Sequence, residues 1–126
     1  MAQDQEGWVS PEAITYIASR LHVSDAEVLS VASFYTMFQL KPIGKHHIQV
    51  CKTLSCMLGG AETLVDFLRT RLGIVPGETT PDGRFTLTQV ECLGACGGAP
   101  CICIDETYHE GVSQETLEVL LKELEQ

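Results

Sequence analysis

Four of the six cysteines stand in two closely spaced pairs. Four residues separate Cys51 from Cys56, three separate Cys92 from Cys96, and 35 residues lie between the pairs. Cysteine thiolates are ligands for zinc and for iron–sulfur clusters. Each pair lies on a loop that leaves a predicted strand, which brings two pairs of sulfurs to one end of a sheet. Four thiolates placed in this way can hold a binuclear iron centre, with two sulfurs on each iron.

Two other functions compete with an iron–sulfur centre. A structural zinc module with four cysteine ligands would more typically use Cys-x2-Cys knuckles on tight turns, so the wider spacings favour iron–sulfur over zinc. A thioredoxin-like thiol oxidoreductase would use a Cys-x-x-Cys at a helix start to lower a thiol pKa, and the sequence has none. Both functions are kept as alternatives of another class.

The residues between the cysteines predict hydrogen-bond donors to an anionic cluster. Ser55 and the amides of residues 57–60, at the start of a predicted helix, could serve Cys56. Donors of this kind stabilise the reduced state and raise the potential. Around Cys96, bare backbone N–H groups could come from three glycines: Gly94, Gly97 and Gly98.

The remaining two cysteines are interpreted as core residues. Cys101 and Cys103 alternate with Ile102 and Ile104 on a short predicted strand, so both face the same side. Free cysteine is among the most buried residue types. The alternative is that Cys101 exchanges with Cys96 as a ligand, or that the two cysteines form a redox-active pair.

The elements that must position these residues fall into two sections. Residues 10–38 predict two short helices, one starting at Ser10 and one with a capping box at Ser24, while the first six residues are expected to be frayed. Residues 41–44 break the pattern. We therefore expect a helical section over residues 1–43.

The second section, residues 44–126, alternates strands and helices. This order fits an α/β sandwich of the thioredoxin type. The predicted elements are a strand at 47–50, a helix ending at Leu72 with Gly73 as its cap, strands at 85–88 and 101–104, and a last helix at 113–125.

Length, charge and hydropathy exclude several classes of function. The 126 residues suit one domain with a short helical appendage. A formal charge of −9 would be repelled by nucleic acid and by anionic membrane surfaces. The N-terminal residues have no signal-peptide features, and no stretch approaches the roughly 18 apolar residues of a membrane span. We expect a soluble cytoplasmic protein without direct membrane insertion, where clustered cysteines more often bind metal than form disulfides.

Six stretches of the sequence carry a specific family resemblance: GWVS at 7–10, ASFYTMF at 32–38, GKHHI at 44–48, Cys51-x4-Cys56, PGETTPDGRF at 76–85 and ECLGAC at 91–96. They closely resemble the 24-kDa or E subunit of NADH:quinone oxidoreductase, which is respiratory complex I. The same family supplies the small diaphorase subunits of NAD-linked hydrogenases and formate dehydrogenases, and these are the alternative parent complexes.

The resemblance implies a thioredoxin-like ferredoxin that binds one [2Fe-2S] cluster, with Cys51, Cys56, Cys92 and Cys96 as ligands. Family members pair with a subunit that holds FMN and oxidises NADH, and the cluster exchanges one electron with that flavin. By the same resemblance, the chain would act only as a subunit of an oxidoreductase. It would have no complete active site of its own, and in complex I it would lie at the cytoplasmic face of the inner membrane.

The sequence also departs from the family pattern. Members usually carry some tens of helical residues before Gly-Trp-Val, whereas six residues precede it here, so we expect a naturally short or an incomplete form. Family members normally lack cysteine in the strand that contains Cys101 and Cys103.

Two further groups of residues have competing interpretations. The aromatic residues Phe34, Tyr35 and Phe38 are interpreted as core, with an interface to the flavin subunit as the alternative. His46 and His47 are interpreted as surface residues of an edge strand. Their alternative is tuning of the cluster with pH or replacement of a sulfur ligand.

Overall fold

The computed structural model describes residues 2–126, which divide into two units. The first unit ends at Ile43 and the second spans Gly44–Gln126.

Three helices form the first unit. Ser10 caps the second of them by accepting a hydrogen bond from the Ala13 N–H, and Ser24 forms a capping box with Glu27 at the start of the third. These two helices and their caps confirm the sequence prediction. The helices are α1 (Ala2–Glu6), α2 (Pro11–Leu21) and α3 (Asp25–Phe34).

The prediction that the first six residues are frayed is wrong, because residues 2–6 form helix α1. The Gln3 side-chain amide explains the difference. Its Nε2 donates to the Met37 carbonyl at 2.9 Å, and its Oε1 accepts from the Gln39 N–H at 2.8 Å. One side chain thus satisfies two backbone groups of a distant segment and fixes the short helix.

Helix α3 leaves most of its apolar side chains exposed. Ala32 is its one buried residue, and Phe34 and Tyr35 are 77% and 50% exposed. The interpretation of these two aromatic residues as core is therefore wrong. Apolar residues occur all around α3 rather than on one face, so packing along a single face cannot cover them.

The second unit is built on a four-stranded sheet. Its strands are β1 (His46–Cys51), β2 (Phe85–Val90), β3 (Ile102–Ile104) and β4 (Thr107–His109), in the order β2-β1-β3-β4. Strand β1 pairs with β2 in parallel and with β3 antiparallel, and β3 pairs antiparallel with β4. The helices are α4 (Leu54–Leu58), α5 (Ala61–Leu72) and α6 (Gln114–Leu124).

One core joins this sheet to its helices. Ile48 of β1, Leu87 of β2 and Ile102 of β3 meet Leu68 of α5 and Leu117 of α6, and all five side chains are fully buried. This arrangement confirms the predicted α/β fold.

The prediction that His46 and His47 lie on an edge strand is wrong, because β1 has a hydrogen-bonded neighbour on each side. His46 Nδ1 lies 2.5 Å from the Asp105 carboxylate, whose other oxygen accepts from the His47 N–H at 2.7 Å. The His47 ring nitrogen Nε2 lies 2.9 Å from Thr88 Oγ1. Both imidazoles are therefore held inside a hydrogen-bonded network.

Burial of His47 predicts a dependence of stability on pH. Burial lowers the pKa of His47 below its ordinary value of 6.5, against a weaker opposing attraction by Asp105. Near pH 6 the unfolded chain then binds a proton that the folded chain does not, so the free energy of unfolding falls as the pH falls. His47→Gln cannot titrate and is expected to flatten this slope in urea unfolding between about pH 7.5 and about pH 5.5.

His22→Asn is the matched control, since it removes an exposed histidine and asparagine tolerates the left-handed backbone at that position. The control is expected to keep the slope of the natural chain. An unchanged slope in His47→Gln would contradict the prediction.

Candidate metal centre

The parallel pairing of β1 with β2 brings the two cysteine pairs to the same edge of the sheet. Cys51 is the last residue of β1 and stands in register with Val90, the last residue of β2. The Lys52 N–H continues the ladder by donating to the Val90 carbonyl at 2.9 Å. Cys92 follows two residues after Val90, so both cysteine-bearing loops leave this edge, as the sequence predicted.

Cys51 lies at the buried centre of the site. Its Sγ is 3.2 Å from Thr53 Oγ1 and donates to the Glu91 carbonyl at 3.4 Å, and the backbone of Leu93 also hydrogen-bonds to it. Burial raises the pKa of the Cys51 thiol, but these hydrogen bonds together outweigh burial and hold the pKa below its ordinary value. The loop after β2 thus supplies partners to a cysteine at the end of β1.

Cys56, in α4, is the second buried thiol of the site. Burial raises its pKa, a backbone hydrogen bond from Cys101 opposes the rise, and the neighbouring sulfurs of Cys51 and Cys96 add to it. These interactions place three of the four predicted ligand sulfurs close together.

The second pair, Cys92 and Cys96, is exposed. The Gly94 N–H donates to Cys92 Sγ at 3.3 Å, as predicted for an amide next to a ligand. Gly94 has a φ of +76°, in the left-handed region that favours glycine, so the loop can turn its N–H back onto the sulfur.

Several of the other predicted donors have different partners. The Met57, Gly59 and Gly60 N–H groups donate to carbonyls of residues 53, 55 and 57, because they lie within or next to the helical turns of α4. The Gly98 N–H donates to Ala95 for the same reason, in the short turn Cys96–Gly98. Thr53 and Leu93, which the sequence pattern does not single out, contact Cys51 instead.

Cys101 and Cys103 are buried, as predicted for core residues. Burial raises the pKa of the Cys101 thiol to about 11, and burial also raises that of Cys103. The backbone of Cys101 has a role that sequence reasoning missed. Its carbonyl accepts the Cys51 N–H at 3.3 Å, and its backbone also bonds to the Cys56 sulfur.

The arrangement of donors can be compared with that of a single-metal site. Within residues 2–126, no three cysteine, histidine or carboxylate side chains converge on one point as ligands of one ion. Four thiolates of a zinc site would surround one such point, whereas a binuclear core takes two thiolates at each iron. Two cysteine pairs on adjacent loops, with hydroxyl and amide donors, fit the binuclear group.

No helix among residues 2–126 is long and apolar enough to cross a membrane. The sequence profile of the thioredoxin-like [2Fe-2S] ferredoxin family matches residues 1–125.

Curated relatives match nearly the whole chain. NADH-quinone oxidoreductase subunit 2 of Thermus thermophilus is 53% identical over 120 residues, which cover 94% of this chain and 66% of the relative. The E subunit of NADH-quinone oxidoreductase from Rickettsia bellii is 42% identical, covering 98% and 75%. An E subunit from Rhizobium meliloti, the one numbered 2, is 44% identical, covering 97% and 73%. The chain thus spans about two thirds to three quarters of these relatives.

Solved structures share the fold at low identity. An NAD+-reducing [NiFe]-hydrogenase superposes with a TM-score of 0.86 at 20% identity, over 97% of this chain and 21% of that one. The thioredoxin-like [2Fe-2S] ferredoxin from Aquifex aeolicus superposes with a TM-score of 0.50 at 19% identity, over 65% of this chain and 87% of that one. The chain therefore belongs to the thioredoxin-like [2Fe-2S] ferredoxin family, as its cysteine motifs predicted.

Proposed function

We propose that the chain is the [2Fe-2S] electron-transfer subunit of an NADH-oxidising complex, with NADH:quinone oxidoreductase as the parent. Its cluster ligands are Cys51, Cys56, Cys92 and Cys96. The observation that carries the proposal is the placement of both cysteine pairs at one edge of β1 and β2, in a chain 42–53% identical to relatives named as subunits of that oxidoreductase. When bound, the cluster supplies one-electron chemistry.

The residues around the ligands divide the work of holding the cluster and tuning it. Thr53 and Leu93 hydrogen-bond to Cys51, and Gly94 donates to Cys92. Such bonds stabilise negative charge on the sulfurs and so raise the potential. Burial of Cys51 excludes water from the inner side of the site, and exposure of Cys92 leaves the outer side open to an electron-transfer partner.

The partner in this proposal is the subunit that binds FMN and NADH, and the electron passes between its flavin and this chain. The chain itself contributes no complete active site. In complex I it lies at the cytoplasmic face of the inner membrane, as a peripheral subunit.

A diaphorase subunit of an NAD-linked hydrogenase is the second candidate. The superposition on the NAD+-reducing hydrogenase over 97% of this chain favours it, although the identity there is 20% against 42–53% for the oxidoreductase relatives. A thiol oxidoreductase is disfavoured, because burial raises the pKa of Cys101 to about 11, whereas thiol exchange needs an exposed thiol of lowered pKa.

Purification of the affinity-tagged chain from its native host under anaerobic conditions tests the proposed parent. We expect FMN, NADH dehydrogenase activity and quinone-reducing membrane subunits to co-purify with it. Recovery of hydrogenase subunits would support the second candidate. A cluster-loaded chain recovered without flavin would contradict both.

A further inference from the structure

The segment that leads into α6 lies beside the loop of the fourth proposed ligand. The Gly111 N–H donates to the Gly98 carbonyl at 2.6 Å, and the Val112 N–H donates to the Pro100 carbonyl at 3.2 Å. These two bonds hold residues 110–112 alongside residues 98–100, immediately after Cys96.

Glu110 occupies the space above Gly98. A Cβ atom at position 98 would lie 2.7 Å from the Glu110 Cβ and 2.8 Å from its carboxyl carbon. Gly98 does not have a positive φ, so its backbone conformation does not demand glycine. The glycine is instead explained by space, since any larger residue would displace the Glu110 side chain from the Cys96–Gly98 turn.

The charge of Glu110 is not neutralised by a neighbour. The other carboxylate in the ligand loops, Glu91, lies 2.8 Å from the Lys52 ammonium group. Within the described residues 2–126, Glu110 forms no ion pair. Its negative charge also contributes to the raised pKa of Cys101, whose backbone contacts both Cys51 and Cys56. The field of this carboxylate therefore reaches the site.

We propose that Glu110 is a positioning residue for charge at this site: its unpaired carboxylate, seated on Gly98 beside Cys96, lowers the reduction potential of the cluster. This inference rests on the proposed ligand set. Reduction adds one electron to a group already surrounded by four thiolates, and a nearby fixed negative charge disfavours that addition. Glu110 thus opposes the donors Thr53, Leu93 and Gly94.

The test is a redox titration of the cluster-loaded full chain, followed by visible absorption, in Glu110→Gln and Glu110→Asp. Glu110→Gln keeps the shape of the side chain and removes its charge. We expect the ratio of reduced to oxidised cluster at a fixed solution potential to rise roughly threefold to tenfold, less at high salt, where an exposed charge is screened. Glu110→Asp keeps the charge and is expected to stay near the natural value.

Glu123→Gln is the matched control, because it removes an equal charge from the exposed far end of α6. The inference is overturned if Glu110→Gln leaves the potential unchanged, or if Glu123→Gln shifts it equally, since net charge would then explain the effect. A colourless natural chain without iron would instead overturn the proposed function. The two failures are therefore distinguishable.

Discussion

Cys56→Ala and Cys92→Ala are each expected to abolish or convert the cluster and its visible absorption. Each substitution removes one of four thiolates, and a [2Fe-2S] cluster needs two at each iron. Cys101→Ala and Cys103→Ala are expected to leave the visible spectrum nearly unchanged, because both side chains are buried thiols of raised pKa. Absorption spectra of the four purified variants, with iron analysis, provide the measurement.

The comparison of Cys96→Ala with Cys101→Ala is the sharpest control on the ligand set. The backbone of Cys101 touches both buried ligands, so its thiol is the nearest competitor for a place in the cluster. If Cys101→Ala bleached the protein and Cys96→Ala did not, the ligand assignment would be wrong.

Leu68→Ala is expected to lower the free energy of unfolding by about 2 to 5 kcal/mol. Leu68 is fully buried in α5, within the core that joins the sheet to α6. Removing its side chain loses apolar burial and leaves a cavity. Chemical denaturation followed by circular dichroism measures the change.

Leu58→Ala is the matched control, since the same substitution there removes a side chain that is 80% exposed. It is expected to change the free energy of unfolding by less than about 0.5 kcal/mol. Equal effects of the two substitutions would show that the core is not the one described.

The parts of the site that follow from local sequence were predictable. Alternation at 47–50 and 85–88 predicts two strands, and the cysteines directly after them must share an edge if the strands are parallel. Capping residues such as Ser10 and Ser24 likewise fix helix starts through contacts three residues away.

The contacts that depend on tertiary approach were not predictable from the sequence. Leu93 reaches Cys51 only because two loops meet, and Glu110 reaches the ligand loop only because its segment pairs with residues 98–100. Strand β4 was missed because its hairpin turn consists of Asp105 and Glu106, both with positive φ, rather than of residues that favour that conformation.

The most direct test of a [2Fe-2S] centre in this chain is the iron and acid-labile sulfide content of the anaerobically purified protein, together with its electron paramagnetic resonance after reduction. We expect about two iron and about two sulfide per chain and a rhombic signal that appears on reduction. Bound zinc, with no visible absorption and no signal, would contradict the assignment.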